Sequence, residues 1–90
     1  MESILKRADD IVNHRSEEKA RDYGPFEESM RRAATQASIL TGKDITTEDF
    51  FKCMIALKLS RLSHAYKEDT YLDLVAYIGA LDNFKKEHNE

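Results

Sequence analysis

Apolar residues recur at helical spacing in four stretches of the chain, separated by short polar or turn-forming segments. In the first, residues 2–20, Ile4, Leu5, Ala8, Ile11 and Val12 make a thin stripe with charges elsewhere, and the stripe fades after Val12. This predicts a helix loosely docked on the rest of the chain or used between subunits. Asp22-Tyr23-Gly24-Pro25 is the clearest break. Pro25 suits the first position of a second helix, where Glu27 and Glu28 fall in the dipole-favoured first turn. That helix runs through Phe26, Met30, Ala33, Ala34, Ala37 and Leu40 and ends at Thr41-Gly42-Lys43-Asp44, with Gly42 as a left-handed cap. Thr46-Thr47-Glu48-Asp49 then reads as a hydroxyl cap with first-turn acids for a third helix, reaching His64 or Tyr66.

The third helix is the one whose pattern contradicts itself. At about 100° per residue, Phe50, Phe51, Met54, Ile55, Leu57, Leu59 and Leu62 fan over a broad arc, yet Lys58 and Arg61 fall inside it. An inward-facing ammonium or guanidinium needs an anionic partner, because unpaired burial costs on the order of several kcal/mol. After a short link at 67–70, the fourth helix, Tyr71 to about Lys86, is apolar nearly all round, which implies burial on more than one side. It too holds a misplaced charge, Asp73, with Tyr77 one turn on and Asp69 one turn before. A link this short predicts that helices three and four form an antiparallel hairpin, bringing Lys58 and Arg61 opposite Asp69 and Asp73. The segment from Lys85 to Glu90 is expected to fray.

The expected architecture is therefore all-α: four helices in a single domain spanning 1–90, with 23–86 as its core, completed by oligomerisation. Ninety residues bury only about 60–65% of their unfolded surface, so a partner copy would cover what the chain leaves bare. One Pro and three Gly fit a helical chain. The net charge of −3, with cations and anions interleaved, lacks the basic stripe of a duplex nucleic-acid binder. Cys53 is the sole cysteine, which excludes an intrachain disulfide and a thiolate metal cluster and fits an inert core thiol. No run approaches the ~18 apolar residues of a membrane span, and no leader pattern is seen, so a cytoplasmic location is expected.

Two roles suit the polar cluster. It is either an internal ion-pair network that fixes helix register, or the lining of a pocket in which Lys58 and Arg61 hold phosphate while Asp69, Asp73, Tyr23 and Tyr77 position the rest of a ligand, with His64 at the edge. Glu27 and Glu28 have the look of a paired-carboxylate Mg²⁺ site, although first-turn acids also serve the helix dipole. Gly-rich phosphate loops, HExxH and Gly-x-Ser-x-Gly are absent from the sequence.

Taken together, Tyr23-Gly24-Pro25-Phe26-Glu27-Glu28, Leu40-Thr41-Gly42-Lys43-Asp44, Lys58-Leu59-Ser60-Arg61 and Asp69…Asp73…Tyr77 resemble a family of small bacteriophage and prophage proteins of unknown function, over about residues 20–82. More weakly, the chain is similar to MazG-like all-α nucleotide pyrophosphohydrolases and to helical proteins associated with phage nucleotide modification. The resemblance implies nucleotide handling in the cytoplasm of a host cell. The MazG-like enzymes hold Mg²⁺ on Glu-Glu-x-x-Glu and Glu-x-x-Asp. Here Arg31 stands at the third carboxylate's place, and Asp69 and Asp73 are four apart. The expectation is accordingly a homo-oligomeric protein with no cofactor that binds a nucleotide or nucleotide-derived signal, sequestering it as an anti-defence sponge. The alternatives are a Mg-dependent pyrophosphohydrolase using Glu27, Glu28, Asp69 and Asp73, and a small inhibitor of a host protein.

Overall fold

The structure, a computed structural model, describes residues 3–14 and 26–88, and among these the regular elements are all helical. They are α1 (Ile4–Asn13), α2 (Phe26–Thr41), α3 (Thr47–His64) and α4 (Glu68–Glu87). The caps explain the starts. Ser3 accepts the Lys6 N–H at the head of α1. Thr46 and Asp49 form a full capping box on α3, each side chain accepting the other's backbone N–H, at 3.0 and 3.2 Å. Gly42 ends α2 with φ +69°, a conformation that costs an L side chain but not glycine. Ser38 then ties the following turn to α2: its hydroxyl accepts the Ile45 N–H at 2.9 Å and lies within donating distance of the Ala34 and Ile45 carbonyls.

Three boundaries differ from those the pattern predicts. The first helix stops at Asn13, with His14 as its C-cap, instead of running to residue 20; residues 15–25, including the Tyr23-Gly24-Pro25 turn, lie outside the described residues. The link before α4 is 65–67, not 67–70. Ala65 and Lys67 are extended, and Glu68 and Asp69 already form the first helical turn. At the other end α4 does not fray at Lys85 but continues to Glu87, because Lys85 pairs with Glu48 on α3 and the His88 ring packs on Phe84.

α4 is the element the others are built on. α3 and α1 pack along it, while α2 rests mainly on α3 and touches α4 less. Its buried residues Leu72, Ala76, Ala80 and Phe84 follow a four-residue spacing, one continuous ridge. Two clusters share that ridge. Met30 and Phe51 meet Ala80 and Phe84, flanked by Phe26 and Tyr77, and Ala8 meets Leu72 and Ala76, flanked by Ile4, Ile11 and Val75. Phe51 is fully buried, its ring 5.9 Å from Phe84 and 6.4 Å from Phe26. Val12 packs against both clusters, so α1 contributes to the core where its thin stripe pointed to a light contact. From α3 to α4 the contacts step Glu48 to Lys85, Phe51 to Phe84 and Lys58 to Asp73, which sets the register of the polar residues on these two helices.

Candidate functional site

The buried line of α3 is narrower than its apolar arc. Phe51 and Lys58 are buried and Met54, Ile55 and Leu62 half-buried, whereas Leu57 and Leu59 are exposed. Lys58 therefore does face inward, as its position predicts. Its side chain is only 10% exposed, and its Nζ donates to Asp73 on α4 at 2.9 Å. Asp73 keeps 42% of its side chain open to solvent, so the pair is sealed on one side and hydrated on the other. One turn along, Tyr77 is half-buried with its ring 5.5 Å from Phe26. Burial, and secondarily the Asp73 charge, push its phenol above the usual tyrosine range. The Lys58–Asp73 pair ties α3 to α4, and Tyr77 packs one turn along against Phe26 of α2.

Arg61 corrects the expectation that both cations turn inward: it is exposed. Phe50, on the same side of the arc near the start of α3, packs against the core, whereas Arg61, one turn from the end of the helix, stays in solvent. There Arg61 lines a cleft of about 350 Å³ with Ser60, His64, Ala65, Lys67 and Thr70. The last turn of α3, the extended residues 65–67 and the first turn of α4 supply its walls. Three basic side chains thus surround one opening beside the N-terminus of α4, where the helix dipole also favours an anion.

The sequence-predicted residues are consequently split. Arg61 and His64 line the cleft; Lys58, Asp73 and Tyr77 do not. Asp69 is exposed in the first turn of α4, and Tyr23 lies outside the described residues. Ser60, Lys67 and Thr70 lie outside the predicted set, because a link at 67–70 leaves no bend at 65–67.

Nor do the four candidate metal carboxylates converge. Arg31 donates to Glu27 at 2.6 Å and lies 3.0 Å from His88 Nε2, while Glu28 pairs with Arg32 and Asp73 with Lys58. Among the described residues, the carboxylate–imidazole groups close enough to share an ion are Asp9, Asp10 and His14, and Glu27, Glu87 and His88; neither includes Asp69 or Asp73. The predicted quartet does not fit a common Mg²⁺. Cys53, expected in the core, is exposed. No helix among the described residues is long and apolar enough to cross a membrane.

No curated protein and no solved structure matches the chain. A family model described as a domain of unknown function, DUF6378, matches residues 3–85, which takes in all of α1, α2 and α3 and nearly all of α4. The chain belongs to the DUF6378 family.

Proposed function

We propose that this protein binds a phosphate-bearing nucleotide, or a signal derived from one, in the α3–α4 cleft and holds it without turning it over. The observation that carries this reading is the convergence of Arg61, His64 and Lys67 on a single opening of about 350 Å³, a volume in the range of small-molecule sites. Arginine offers phosphate a planar two-pronged donor and lysine a compact charge. The Lys58–Asp73 pair acts behind the site: it holds α3 and α4 as an antiparallel hairpin and so fixes the bend that opens the cleft. The scattered carboxylates favour retention of the ligand over metal-assisted hydrolysis.

In a bacteriophage setting, which the sequence resemblance suggests, such a protein would sequester a host signalling nucleotide. Exposed Leu5, Ile39, Leu40, Leu57, Leu59 and Ile78 support self-association, with sedimentation velocity as its test. For ligand binding, calorimetry against a panel of nucleoside mono-, di- and triphosphates should detect a complex that Arg61→Ala together with Lys67→Ala abolishes. Heat denaturation should release the nucleotide chemically unchanged. A panel without any binding partner rejects the reading, and Mg-dependent release of pyrophosphate replaces retention with hydrolysis.

A further inference from the structure

The first turn of α4 says more about which part of a ligand the cleft takes. Every α-helix begins with backbone N–H groups that no preceding carbonyl can satisfy. In α4 the N–H groups of Thr70 and Tyr71 both turn to the Lys67 carbonyl, at 3.1 and 3.3 Å. Those of Glu68 and Asp69 find no acceptor among the described residues, and Lys67, at the cap position, supplies no side-chain bond. A second observation is independent of the helix end. Thr70 is nine-tenths buried, lines the cleft, and its hydroxyl has no hydrogen-bond partner among the described residues. Buried hydroxyls are ordinarily paired, so one left open beside three basic residues points to a missing acceptor.

We infer that the cleft seats a terminal phosphate, a phosphate monoester, on the N-terminus of α4, with the Thr70 hydroxyl donating to one of its oxygens. This rests on the phosphate-ligand reading above and narrows it. A monoester presents three unesterified oxygens and close to two negative charges at neutral pH. The side-chain donors that line the cleft match that number, the Thr70 hydroxyl and the Arg61 and Lys67 side chains, and the first-turn N–H groups of Glu68 and Asp69 add the positive end of the helix beside it. A diester carries one charge and two free oxygens, and its second ester arm would have to occupy the position of the third. The local acids do not remove the preference. Glu68 turns its carboxylate to Arg7 on α1, and Asp69 is exposed. Sites of this kind therefore separate 5′-monophosphates from cyclic phosphates of the same nucleoside.

The test compares adenosine 5′-monophosphate with adenosine 3′,5′-cyclic monophosphate by calorimetry on the full chain, so that base and sugar cancel. The monoester should bind at least about tenfold more tightly. Thr70→Val, which keeps the branched shape and deletes the hydroxyl, should weaken monoester binding about tenfold with little effect on the cyclic ester, and Thr70→Ser should restore it. Equal affinities for the two esters, or an unchanged affinity in a folded Thr70→Val protein, overturn the inference; if the Arg61→Ala/Lys67→Ala variant still loses binding, the phosphate reading survives without it. Should Thr70→Val fail to fold by circular dichroism, the comparison of the two esters on the unaltered protein decides alone. Failure of either ester to bind at all, with other nucleotides also silent, rejects both.

Discussion

Replacing Asp73 with alanine leaves the Lys58 ammonium in the α3–α4 seam without the carboxylate that now meets it at 2.9 Å. Stranding one member of a fully enclosed ion pair costs about 3–5 kcal/mol, whereas exposed pairs contribute about 0–1 kcal/mol. This pair stands between those limits, because Lys58 is 10% exposed and Asp73 42%. Water would enter through the space vacated by the aspartate and rehydrate part of the ammonium, which puts the expected loss near ~2 kcal/mol. For a domain of this size that corresponds to a fall in Tm of about 8–16 °C. The converse change should behave differently. Lys58→Met keeps the length of the side chain, adds an apolar group to a line already formed by Phe51, Met54, Ile55 and Leu62, and leaves Asp73 in contact with water, so its expected cost is under about 1 kcal/mol. Urea denaturation of both single variants and the double variant measures the asymmetry, and Lys58→Met should recover most of what Asp73→Ala loses. If Lys58→Met is the more damaging of the two, or the double variant is no better than Asp73→Ala, the account of a buried cation held by a half-open anion is wrong.

Other expectations follow from the packing and caps. Phe51→Ala empties the one fully buried large side chain among the described residues and should cost about 3–5 kcal/mol in urea denaturation, a large share of the stability of a 90-residue chain. Gly42→Ala meets no steric neighbour, so its expected loss of about 1 kcal/mol comes from the φ of +69° alone; Gly42→Asn should lose less, and equal losses would count against that cause. Glu48, held by Lys52 and Lys85, has its carboxyl lowered from 4.5 to about 2. Because the folded value lies below the unfolded one, its stabilising effect is complete above about pH 4.5 and disappears as pH falls toward 2. Glu48→Gln should therefore flatten the acid-side loss of stability in that window, as followed by circular dichroism, and an unchanged acid profile would refute the linkage.

How far the sequence reaches depends on whether a feature is set locally. The Thr46–Asp49 capping box and the Gly42 stop are decided by a few adjacent residues, and both appear where the residue types place them. Lys58 could be recognised as inward because it lies in the middle of its apolar line. Arg61 could not be placed, since it falls inside a broad arc, between Phe50 and Met54, and only the helices covering the last turns of α3 decide which of those positions are wet. The cleft was illegible for a related reason. It depends on the chain leaving α3 at Ala65 and entering α4 at Glu68, whereas a link at 67–70 makes Lys67 its first residue and takes Thr70 out of the helix. The expected metal quartet fails on distance along the helices. Glu27 meets His88, beyond the far end of α4, while Asp73 lies near its start.

The late position of α4 along the chain has a consequence for how the molecule is made. Partners of α4 residues are as much as 70 positions upstream, as in the Asn83–Asn13 hydrogen bond, and both core clusters contain α4 side chains. During synthesis α2 and α3 can meet through Met30 and Phe51, but α1 and the α4-facing stripe of α3 stay uncovered until α4 has been made. Until then the nascent chain is open to capture by chaperones or by other unfinished copies, and a stop codon ahead of Glu68 would remove the ridge on which both clusters close.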